Sequence, residues 1–82
     1  MTQKERNFLN DIKGAADQWS YDIEHYHENI YGDRYFTVEV DFDEEDWGLS
    51  SDEMWDALNE VANDWGAGID SDGTVYSLSM EV

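Results

Sequence analysis

The sequence predicts a single acidic α+β domain over residues 1–82, ordered α–β–α–β–β, with a three-stranded, partly antiparallel sheet and two helices on one face. Three observations carry this. Two stretches repeat apolar residues at steps of three and four, one ten-residue stretch alternates strictly, and Ser71-Asp72-Gly73 divides residues 67–82 into two short alternating runs. One layer of helices on one sheet is the simplest packing of such elements. The apolar fraction of 40%, with four Trp, five Tyr and three Phe, supplies one core for a chain of this length.

The first helix opens on Thr2-Gln3-Lys4-Glu5, where Thr2 fits an N-cap and Glu5 the third helical position of a capping box. Leu9, Ile12, Ala16, Trp19, Ile23, Tyr26 and Ile30 then follow at alternating steps of three and four, which predicts one long helix. Gly32 is its expected stop. Asp11, Asp17, Asp22, Glu24 and Glu28 fall on the opposite, acidic side.

Residues 34–43 read as a strand. Phe36, Val38, Val40 and Phe42 point one way, and Tyr35, Thr37, Glu39, Asp41 and Asp43 the other. A loop over residues 44–49 leads to a second capping box, Ser50-Ser51-Asp52-Glu53. Beyond it Met54, Trp55, Leu58, Val61, Ala62 and Trp65 repeat at helical spacing until Gly66. In the closing hairpin Ala67 and Ile69 form a short strand, and Tyr76, Leu78, Met80 and Val82 the inward row of the last one.

Charge is the outlying property. Only Lys4, Arg6, Lys13 and Arg34 oppose 21 carboxylates, for a net charge of −17. Solubility of a small domain needs a magnitude of only about 2–8. Such a chain does not bind DNA, RNA or anionic lipid by charge, so a basic protein surface is the expected partner. No membrane contact is expected, because no run approaches the ~20 apolar residues of a span. MTQKERNFLN carries no signal-peptide core either, which makes the cytoplasm the expected location, that of the host cell if the protein is viral.

The charge is densest in VEVDFDEEDWG, residues 38–48, where six of eleven residues are carboxylates. Glu39, Asp41 and Asp43 would stand about 6.8 Å apart along the outer side of the strand. Glu44, Glu45 and Asp46 continue the run, and no lysine is interspersed. Rows of anions at this spacing resemble a nucleic-acid strand, with one charge per ~3.4 Å of axis. The acidic side of the first helix offers a second row. Trp47 lies outside every apolar stripe and, with Tyr35, is the candidate aromatic anchor of the contact; Tyr21 is a lesser one.

Other chemistries find little support. Without cysteine there is no disulfide, thiolate metal site or thiol nucleophile, and no glycine-rich phosphate loop occurs. His25 and His27 would share a face on a strand but stand about 200° apart on a helix, so the helical reading leaves them as ordinary exposed residues. Gly68, Asp70, Asp72 and Gly73 fall at positions 1, 3, 5 and 6 of a calcium-loop register, but the first is not acidic and Ser79 stands where the bidentate glutamate belongs. No metal, cofactor or catalytic residue is expected, and the chain reads as a binding protein.

In size, charge, lack of cysteine and α/β make-up the chain resembles the small acidic anti-defence proteins of bacteriophages, among them anti-CRISPR and anti-restriction proteins. The resemblance is one of composition and transfers no residue roles. It implies an inhibitor that mimics DNA and occupies the nucleic-acid site of a host CRISPR complex, restriction enzyme or other nuclease. Locally, Trp55-Asp56-Ala57-Leu58 looks like the inhibitory helix of barstar-type antitoxins, which implies instead a partner for one dedicated nuclease. An acidic adaptor is the third reading, either monomeric or a homodimer paired through the first helix and residues such as Phe8.

Overall fold

A computed structural model describes residues 1–16, 21–42, 47–72 and 75–82, with the side chains of residues 21, 42 and 47–52 left aside. Its first element, α1 (Gln3–Ala15), begins as its capping box requires. The Glu5 N–H donates to Thr2 Oγ1 at 3.1 Å, and the Thr2 N–H donates back to Glu5 Oε1 at 2.7 Å. Glu5, Phe8, Leu9, Ile12 and Ala16 form its buried stripe.

The long helix expected through residue 30 is a correction. After α1 the chain forms β1 (Tyr21–Ile30), turns at Tyr31-Gly32 and returns as β2 (Asp33–Phe42). Ten residue pairs, from Tyr21↔Phe42 to Ile30↔Asp33, join the two strands. Ile23 satisfies a strand alternation as well as a helical stripe. Tyr26 and Ile30, placed on the apolar side of the helix, lie instead on the exposed side of the sheet. Trp19 and Asp17 lie outside the described residues. The ladder prevails because each β1 residue finds a β2 partner at short loop-closure cost, whereas most of an extended helix would have no second layer to cover it.

Helix α2 (Trp47–Trp65) starts three residues before the expected cap at Ser50, so the second capping box is interior and residues 47–49 are helical rather than loop. No proline stands there to stop the helix. Strands β3 (Gly68–Asp72) and β4 (Val75–Glu81) complete the fold. Ser71 and Asp72, read as turn residues, pair with Tyr76 and Val75; Gly73 lies outside the described residues.

The sheet therefore has four strands, not three, in the order β1-β2-β4-β3, and every pairing is antiparallel. Phe36, Val38 and Val40 stand opposite Met80, Leu78 and Tyr76, and all six are buried on one face. Both helices join that cluster through Phe8, Leu9 and Ile12 and through Met54, Leu58 and Ala62. Phe8 meets Phe36 and Trp65 edge-on, with ring centroids at 6.3 and 5.6 Å, and Trp65 Nε1 donates to Asp11 at 2.8 Å. Fully buried Phe8 is unavailable for the pairing of first helices considered above.

One polar contact ties the first helix to β1. Glu5 is 2% exposed, and its second carboxylate oxygen meets His27 Nε2. The Thr2 N–H, followed by the His27 ring, holds the Glu5 carboxyl at about 2 against the opposing effect of burial. Because the folded value lies below the ordinary 4.5, this contribution is complete above pH 4.5 and is lost as the pH falls through about 2. Glu5→Gln should cost about 1–2 kcal/mol at neutral pH. In denaturant titrations the gap between wild type and E5Q should close between pH 4.5 and 2; a gap of constant size across that range would contradict the charge-based account.

The β1–β2 turn carries strain. Tyr31 has φ +51° and Gly32 φ +87°, the two positive values that a two-residue hairpin turn demands. Glycine adopts such a φ freely; tyrosine does not. Tyr31 is also fully exposed, so packing does not compensate. Tyr31→Asn should stabilise the protein by about 0.5–1 kcal/mol and raise Tm by about 2–8 °C in thermal melts.

Candidate functional site

Strand alternation places opposite chemistries on the two faces of the sheet. With the helices covering one face, the other carries Asp22, Glu24, Tyr26, Glu28 and Ile30 from β1 and Tyr35, Thr37, Glu39 and Asp41 from β2. In register with them are Val75, Ser77, Ser79 and Glu81 of β4 and Asp70 and Asp72 of β3.

Two cross-strand rows concentrate the charge. In one, Asp22 stands opposite Asp41 and the row ends across the sheet at Asp72. In the next, Glu24 stands opposite Glu39 and the row ends at Asp70. Neighbouring strands are about 4.8 Å apart and alternate residues about 6.8 Å, so Asp22, Glu24, Glu39 and Asp41 occupy the corners of a small rectangle. Val75 completes the rim of the shallow depression they enclose. Directly opposed like charges destabilise a ladder.

The neighbouring rows carry more hydrogen-bonded side chains. Tyr26 donates its hydroxyl to Glu39 at 3.0 Å; burial of that hydroxyl and the carboxylate beside it push the Tyr26 pKa up to about 12. Thr37 is buried although it faces the open side, because its neighbours close over it. Its hydroxyl donates to Glu28 at 2.8 Å, so at the 3.0 Å contact with Ser79 the serine is the donor. These bonds tie β1, β2 and β4 together beside the charged rows.

Of the residues singled out in the sequence, Glu39 and Asp41 lie together on this face, Asp41 exposed and Glu39 half-buried. Tyr35 is on the same face, half-buried opposite Glu28. Asp43, Glu44, Glu45 and Asp46 lie outside the described residues. Trp47 is the first residue of α2 rather than part of a loop. The second acidic row comes from Asp22 and Glu24 on β1, not from a helix, which sets it directly beside Glu39 and Asp41. Asp70 and Asp72, weighed in the sequence only as turn and calcium-loop residues, join this face because β3 extends through Asp72 and pairs with β4.

The remaining candidates change character. His25 and His27 share a strand face, but both rings pack on Phe36, at centroid distances of 5.6 and 5.2 Å, and His27 is engaged with Glu5. Among the described residues no three His, Asp or Glu side chains are arranged to hold a metal ion, and no helix is long and apolar enough to cross a membrane. In Trp55-Asp56-Ala57-Leu58 the leucine is core, the tryptophan lies 5.8 Å from Tyr76 and Asp56 is exposed, so packing accounts for most of that segment.

No protein-family profile and no curated protein matches the chain.

The opposed carboxylates give a direct test of what this face costs. Glu24→Lys replaces a like pair with an opposite one and should stabilise the fold by about 0.5–1 kcal/mol in urea unfolding at low salt. The gain should shrink near 1 M salt, where screening acts within about 3 Å.

Proposed function

We propose that this protein is a stoichiometric inhibitor whose open sheet face stands in for nucleic acid and occupies the basic DNA- or RNA-binding surface of another protein. The observation that carries the reading is the two like-charge cross-strand pairings, Asp22↔Asp41 and Glu24↔Glu39, on the face opposite the helices. A surface shaped by stability alone would intersperse cations there. Retaining the repulsion makes sense where a partner's Lys and Arg residues neutralise it.

In this reading Asp22, Glu24, Glu39 and Asp41 take the place of phosphates, and Asp43, Glu44, Glu45 and Asp46, which follow Asp41 closely in the sequence, are further candidate contacts. Tyr35 and Tyr26 supply aromatic surface beside the charges, and Trp47 lies next to Asp46 in sequence. The protein acts by occupancy, without catalysis, cofactor or direct contact with nucleic acid. The composition shared with small acidic phage proteins makes CRISPR effectors and restriction enzymes the targets to test first.

Displacement of a labelled duplex from a panel of purified CRISPR effectors and restriction enzymes tests this. A true target should lose its duplex at a one-to-one ratio, and the inhibitor's affinity should fall steeply between about 50 and about 200 mM salt. The double variant Glu39→Gln/Asp41→Asn should weaken inhibition at least about tenfold without loss of Tm. A partner that binds this protein and its duplex together would refute mimicry.

A further inference from the structure

The sheet offers a second kind of binding element, its β1 edge. β1 is terminal in the strand order. Tyr31 and Gly32 form a two-residue turn of positive φ, so Ile30 and Asp33 exchange the closing hydrogen bonds. The even-numbered residues of β1 therefore bond to β2. The 2.9 Å bond from the Val82 N–H to the Arg34 carbonyl, on the other side of β2, has the matching phase. It follows that Ile23, His25, His27 and Asn29 turn both N–H and C=O away from the sheet. Among the described residues none of these groups bonds to another part of the chain.

Natural edge strands are usually short, bulged, or guarded by proline or lysine. β1 is ten residues long, pairs without a bulge, and holds neither. Beside this edge, Asp22, Glu24 and Glu28 project on the open face, with Tyr26 among them. A second copy brings the same carboxylates and its own −17 charge, which opposes self-pairing.

We propose that β1 is a docking edge for an extended, lysine- or arginine-bearing segment of another protein, added to the sheet as a fifth strand. Ile23, His25, His27 and Asn29 supply the main-chain bonds. Basic side chains at alternate positions of the added strand face Asp22, Glu24 and Glu28, and the position beside Tyr26 takes an aliphatic or aromatic group. This goes beyond mimicry, since it rests on backbone pairing at an edge rather than on the face as a phosphate array.

A nine-residue peptide alternating lysine with threonine, with valine replacing the lysine that would lie beside Tyr26, is the probe, read by NMR amide exchange. At saturation the amides of Ile23, His25, His27 and Asn29 should gain about tenfold or more protection. The same peptide N-methylated at alternate residues should bind at least about tenfold more weakly. His25→Pro removes an outward N–H that makes no bond to β2, so it should weaken the peptide while leaving duplex displacement intact. The Glu39→Gln/Asp41→Asn variant should do the reverse, which separates backbone pairing at the edge from occupancy of the face, although Asp22 and Glu24 border both. Unprotected β1 amides at saturation, equal binding of the N-methylated peptide, or a β1-paired dimer of the free protein in sedimentation would each overturn the proposal.

Discussion

Everything else in this molecule follows from a core built on one side of the sheet. Phe36, Val38 and Val40 with Met80, Leu78 and Tyr76 form one apolar surface, and both helices are spent covering it. Because strand side chains alternate, burying one set commits every neighbouring residue to the opposite face. A one-residue slip would bury Glu39 and Asp41 and expose Val38 and Val40. The cost of burying an unpaired carboxylate makes that register inaccessible. The same apolar surface that stabilises the fold thus gathers the carboxylates.

That gathering is unfavourable in itself, and the structure opposes it by local means. The ten-pair β1–β2 ladder and the Tyr26–Glu39 and Glu28–Thr37–Ser79 bonds hold the strands in place beside the repelling rows. At the hairpin's far side Glu5 acts twice, closing the α1 cap and meeting His27. A buried carboxylate in a chain so rich in negative charge is tolerable because a backbone N–H, a hydroxyl-capped helix start and an imidazole surround it. Stability is concentrated on the covered side, and the open side is left as a display.

Face and edge are distinct resources on that display. The face offers charge at fixed spacing, which attracts basic surfaces over several ångströms and is screened by salt. The β1 edge offers directional backbone groups, which bind only what is extended and correctly phased. Tyr31, strained and fully exposed, stands where the hairpin turns between the two strands.

Local order was legible in the sequence wherever one pattern had one reading. The Thr2–Glu5 capping box, the strict alternation of β2, the apolar spacing of α2 and the final strand each required a single backbone period, and each is present. The outward placement of Glu39 and Asp41 followed from that alternation. Residues 21–30 were different: Ile23, Tyr26 and Ile30 satisfy a helical stripe, while Tyr21, Ile23, His25 and His27 equally satisfy a strand. Gly32 fits both as well, since a helix end and a hairpin turn use the same positive φ. Pairing between distant segments resolved the ambiguity, because β2 offered β1 a complete ladder. That choice also turned a presumed acidic helix face into a row of carboxylates opposite Asp41 and Glu39. Which anions become neighbours depends on strand register across the sheet, a non-local property that spacing along the chain does not encode.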